Sequence, residues 1–141
     1  MQDYNIDHNL SNEKLLKRLE NACLGLLWMS EADFPWEIIY WQDIQNLNGK
    51  TLLDRYNYNP ERKIKTTTLE SFFAPATTEQ EWYGSIERAF TQRYQILKKL
   101  LQENLEDIQV YLVGEVEIDV YVLGKSDRNA IIGISTKIVE T

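Results

Sequence analysis

The feature that most restricts what this chain can fold into is a run of strict alternation near its carboxyl end. Val116, Ile118, Val120 and Val122 alternate with Glu115, Glu117, Asp119 and Tyr121, the period-2 pattern of a half-buried strand. Val110 and Leu112 come before it at the same spacing. The segment GKSDRN, Gly124 to Asn129, supplies turn residues, and Ala130 to Val139 returns as an antiparallel partner. A sheet with one apolar face needs a layer to cover it, so the remainder of the chain has to provide helices.

Two helical stretches answer that need. Leu15, Leu19, Ala22 and Leu26 recur at helical spacing with Leu16, Cys23 and Leu27 beside them, and Asn9 to Ser11 offer caps. The reading is a helix from Asn12 to Met29, broken before Pro35. Ile86, Phe90, Tyr94, Leu97 and Leu101 mark the buried stripe of a second helix, capped by Thr77 or Thr78 and ending near Leu105. Trp36 to Trp41 reads as a strand, as does Lys63 to Phe73. The polar segment from Gln42 to Pro60, with turn signals at Asn48-Gly49 and Asn59-Pro60, reads as a hairpin or long connection. This order predicts one α+β domain, like an α/β/α sandwich, with a mostly antiparallel sheet flanked by helices. Residues 1–11 read as a flexible leader and residues 12–141 as the domain.

Composition removes several classes of function. Twenty-two acidic residues against fifteen basic ones give a net charge of −7, whereas direct binding to nucleic-acid phosphate needs a basic footprint. The longest apolar run, Ala22 to Met29, is too short to span a bilayer, and the polar start MQDYNIDHNLSNEK has no secretory h-region. The lone Cys23 cannot form an internal disulfide, which suits a reducing compartment, and a cytoplasmic protein is expected. Acids dominate from Leu101 to Thr141, while Lys50, Arg55, Arg62, Lys63 and Lys65 form a basic cluster. Such a dipolar charge distribution can steer a basic partner toward the acidic end.

Candidates for chemistry are few. His8 is the single histidine, so a His/Cys zinc site lacks ligands, and there is neither a Gly-rich phosphate loop nor a GxSxG elbow. No cofactor is implied. Glu115, Glu117 and Asp119 alternate on one strand face and could offer three oxygen ligands to Mg²⁺ or Ca²⁺ as a metal-binding enzyme, or could be the solvated face of a one-sided sheet.

Three other stretches call for a different explanation. In MSEADFP, Ser30 and Glu31 read as the end of a helix, with Asp33 close behind. Acids at a helix C-terminus oppose the macrodipole, so stability does not account for them; they read either as a plain surface turn or as carboxylates that pair with a partner's arginines. Trp82 beside Tyr83 is either core or, if exposed, the residue type most enriched in interface hot spots. The chain finishes ISTKIVET, alternating almost to its last residue, where most domains leave loose ends. An end so close to ordered structure is expected to be a working part.

The segments GLLWMSEADFPWE (Gly25 to Glu37), SFFAPATTEQEWY (Ser71 to Tyr83) and QVYLVGEVEIDVYVLGKSDRNAIIGISTKIVET (Gln109 to Thr141) resemble the nuclease A inhibitor family. These are small proteins that bind and block a sugar-non-specific, Mg-dependent endonuclease. The resemblance implies that Glu31 reaches into the nuclease active site and that Trp82 is an interface anchor. It also implies that Thr141, following Val139 and Glu140, meets the partner's catalytic Mg. Ser30, Asp33 and Glu140 complete the expected partner-binding set, and the chain binds no metal of its own. Ala32 stands where the family often has serine, and residues 42–65 match the pattern poorly. A protein-interaction domain of the same fold with another partner is the alternative.

Overall fold

The computed structural model of the chain describes residues 11–42, 44, 46–127 and 129–140. The alternating segments form the middle of a five-stranded sheet: β5 (Glu106–Val113), β6 (Glu117–Lys125) and β7 (Ile131–Val139). β3 (Glu37–Trp41) and β4 (Ile64–Thr67) are its edges. The order is β3-β7-β6-β5-β4, and each neighbouring pair is antiparallel. A separate two-stranded hairpin consists of β1 (Leu27–Met29) and β2 (Asp33–Pro35).

Helices cover both faces, as an α+β, α/β/α arrangement requires. On one face α1 (Asn12–Cys23), α3 (Leu69–Thr77) and α4 (Ser85–Asn104) bury Leu15, Leu19, Phe73, Tyr94, Leu97 and Leu101 against Val110, Val120, Val122, Ile132 and Ile134. On the other, the short α2 (Gly49–Arg55) places Leu52 and Leu53 over Tyr111, Val113, Tyr121, Leu123 and Ile131. The acidic face of β6 is therefore open at Glu117 and covered from Tyr121 onward. Gly133 is required where β7 crosses β6: a Cβ there would lie 1.8 Å from the Val122 carbonyl oxygen.

Several boundaries differ from the sequence reading, each for a local reason. The first helix stops at Cys23, not Met29, because Gly25 takes a positive φ of 70° and turns the chain into β1. Ser30 and Glu31 are consequently the turn of a hairpin and not the C-terminus of a helix. Asn48-Gly49 opens a helix: the Asn48 side chain accepts from the Thr51 amide while Thr51 Oγ1 accepts from the Asn48 amide. The expected strand over Lys63 to Phe73 ends at Thr67, since Thr68 caps α3 by accepting from the Ser71 amide. Thr77 and Thr78 sit at the end of α3, their hydroxyls donating to the carbonyls of Phe73 and Ala74. They cap no helix start. Ser11, read as part of the leader, is the N-cap of α1; Met1 to Leu10, including His8, lie outside the described residues.

One polar group ties the layers together. The Tyr94 hydroxyl, fully buried, accepts from Trp36 Nε1 at 2.8 Å and donates to the Leu27 carbonyl at 2.6 Å. Burial drives its pKa up, as it drives the Cys23 thiol up to about 12. Two stability measurements follow. Tyr94→Phe leaves a buried indole N–H and a carbonyl unpaired, so it should cost about 1–3 kcal/mol in denaturant unfolding. Alkylation of Cys23 at pH 8 should proceed only as fast as the protein opens; rapid labelling under native conditions would contradict a buried, neutral thiol.

Candidate functional site

The geometry brings Ser30 and Glu31 beside the end of β7 and Trp82 to a groove that the same hairpin borders. β3 pairs with β7 only as far as Glu37 opposite Ser135, so the last residues of β7 have no backbone ladder on that side beyond this point. The β1–β2 hairpin lies along them instead. Thr136 Oγ1 donates to the Pro35 carbonyl at 2.8 Å, and the Glu31 amide donates to the Val139 carbonyl at 3.3 Å. Ser30 Oγ donates to the Ala32 carbonyl at 2.7 Å and accepts from the Val139 amide at 3.1 Å. On the opposite side of β7, Glu140 donates from its amide to the Val116 carbonyl at 2.9 Å. The tail of the last strand is thus held between the Ser30–Glu31 turn and the β5–β6 connection. Glu31 and Glu140 are both exposed. Thr141 lies outside the described residues.

The same hairpin borders an apolar groove. Its burial alternates, with Trp28 turned inward and Leu27 and Met29 outward. Trp28 stacks on Phe72 at 4.7 Å between ring centres and meets Tyr94 and Trp36 edge-on. Above that floor lies a cleft of about 500 Å³ between β1, the end of α3 and the start of α4, walled by Met29, Pro75, Trp82, Ile86 and Phe90. Trp82 is 74% exposed and contacts Tyr83 edge-on at 4.6 Å. Asp33, exposed, pairs directly with Met29 across the hairpin.

Trp82 is therefore a surface residue, the second of the two possibilities its sequence left open. Ile86 is a correction: the helical stripe that buries Tyr94, Leu97 and Leu101 runs past the core at the first turn of α4, leaving Ile86 82% exposed. Met29 and Ile86 read as helix or core by spacing alone, and Pro75 falls between the elements the sequence predicts. The unusual signal was the break at Gly25, which turns Met29 outward.

The three-carboxylate metal site does not assemble. Glu115 precedes β6 and pairs with Lys63 at 3.2 Å, while Asp119 accepts from Tyr58 Oη at 2.5 Å. Tyr58 Oη also lies 2.6 Å from Tyr121 Oη, and burial with the neighbouring carboxylate pushes the Tyr58 pKa up. Among the described residues no three His, Cys, Asp or Glu side chains converge as a metal would require. Nor is any described helix long and apolar enough to cross a membrane.

An exposed aromatic side chain contributes nothing to the core it leaves. Trp82→Ala should accordingly change unfolding free energy by no more than about 0.5 kcal/mol, and a large loss of stability on thermal melting would return Trp82 to the core.

Residues 13–141 match the family model described as nuclease A inhibitor-like protein. No individual curated protein matches the chain.

Proposed function

Because the chain belongs to the nuclease A inhibitor-like family, we propose that it binds a Mg-dependent, sugar-non-specific endonuclease and blocks the active site. The observation that carries this reading is the convergence of the Glu31 turn, the end of β7 and the Trp82 groove at one end of the fold. One docking event can use all three.

The physical argument runs from the target. A nuclease that cuts DNA and RNA alike recognises the backbone phosphate they share, using cationic side chains and a hard metal ion that prefers oxygen. Glu31, on a turn fixed to β7, presents a carboxylate to those cations, with Asp33 and Glu140 adding negative charge nearby. Thr141, one residue past the held end of β7, offers a hydroxyl in place of water on the partner's Mg. Trp82, beside a groove of apolar walls, supplies the desolvated anchor that charge alone does not. The net charge of −7 speeds encounter with a basic cleft and loses that advantage in salt. The inhibitor carries the charge of the substrate without a phosphodiester to cleave, so it acts as a ligand and not as an enzyme.

Titration of such a nuclease with the purified protein should abolish activity at a stoichiometric endpoint. An interaction domain with another partner would leave activity unchanged. Glu31→Ala and Trp82→Ala should each weaken inhibition by at least about 2 kcal/mol while the fold persists. Thr141→Ala should impair inhibition without lowering the melting temperature; full inhibition by that variant would remove Thr141 from the mechanism.

A further inference from the structure

The hairpin that carries Glu31 is not part of the main sheet. Its two three-residue strands pair only with each other in the backbone ladders, and an isolated two-stranded ribbon of that length is marginal in water. Its attachment to β7 includes the Glu31 amide bond and two side-chain hydroxyls, those of Thr136 and Ser30. Thr136 is buried and fastens the base of the ribbon at Pro35. Ser30 is half-buried at the tip, and its hydroxyl is used within the chain in both directions: it donates to Ala32 and accepts from the Val139 amide.

We infer that Ser30 is a positioning residue, and that its hydroxyl fixes the Glu31 turn and the end of β7 to one another as a single presented unit. The inference rests on the inhibitory reading above and replaces a direct partner contact for Ser30 with an action through Glu31 and the chain end. The bond to Ala32 sets the curvature of the turn on the far side of Glu31. The bond from Val139 sets the height of that turn along the last strand. Glu31 lies between Ser30 and Ala32, inside the turn that the first bond closes, and the second bond fixes that turn to the strand. Loss of the hydroxyl removes the 3.1 Å bond from the Val139 amide and leaves the longer Glu31 amide bond to the Val139 carbonyl, at 3.3 Å.

Two measurements on the full chain test this. In the free protein, Ser30→Ala should accelerate amide hydrogen exchange of Val139 by about tenfold or more, the effect of losing one net hydrogen bond. The amides of Val122 and Ile134, in the central strands, should keep their rates. Unchanged exchange at Val139 overturns the inference, as does a uniform acceleration, which would mark an ordinary stabilising role. Against a Mg-dependent nuclease that the unmodified protein inhibits, Ser30→Ala should weaken inhibition about tenfold. In a Glu31→Ala background the same change should cost less than about twofold, because the group being positioned is gone. Additive losses, or full inhibition by Ser30→Ala, overturn the positioning role. If the unmodified protein inhibits no such nuclease, the functional reading fails, and the exchange experiment alone decides whether Ser30 holds the turn to the strand. The substitution removes one oxygen from a half-buried turn and leaves the core untouched.

Discussion

The Tyr94 hydroxyl is the constraint on which the arrangement depends. It sits under three elements that sequence alone would not bring together: α4, the start of the β1–β2 hairpin at Leu27, and Trp36 at the entry to β3. Because the hydroxyl is buried, each partner needs the bond, and one oxygen links the three. Around it Trp28, Trp36, Phe73 and Phe90 pack edge-on or stacked, so the aromatic floor of the groove and the anchor of the hairpin are one structure. The surface at this end is shaped from beneath.

That coupling explains how a polar turn and an apolar cleft come to lie side by side. The helical face of the sheet supplies rigidity; the α2 face, with its Tyr58–Tyr121–Asp119 hydrogen bonds, completes the other layer. Arg93 reinforces the join by donating to the carbonyls of Ala22 and Leu24, just where α1 gives way to Gly25. The cation thereby satisfies carbonyls that the end of a helix would otherwise leave to solvent.

Much of this was legible in the residues. The alternation of Val116 to Val122 and the return over Ala130 to Val139 specified β6 and β7, because period-2 burial has no helical counterpart. The α+β class followed. What misled was apolar spacing that continued through a change of structure: Leu26 and Leu27 fit the helical stripe of α1 yet belong to the hairpin side of Gly25. Asn48-Gly49 and the threonines around Lys65 carried two meanings each, since the residues that favour turns and strands also cap helices. Of the candidate site, Glu31 drew notice through an expected helix end that is a hairpin turn in the structure, and Trp82 was left between core and surface. Their neighbours in the groove drew none, for Met29 and Ile86 look like any core residue until the end of the packed layer is known. The bonds of Ser30 were beyond reach, because Val139 lies more than a hundred positions away and only the folded chain makes them adjacent.

Attachment of the β1–β2 ribbon partly through hydroxyls, outside the ladder of the main sheet, has a consequence for how such a molecule can diverge. A strand inside a ladder cannot change length without shifting the face of each residue it carries. The ribbon has a register of its own, which no strand of the five-stranded sheet shares. Its tip can exchange residues at positions 31 and 32, or lengthen, while the five strands keep their register, so the surface offered to a target can drift faster than the scaffold that bears it.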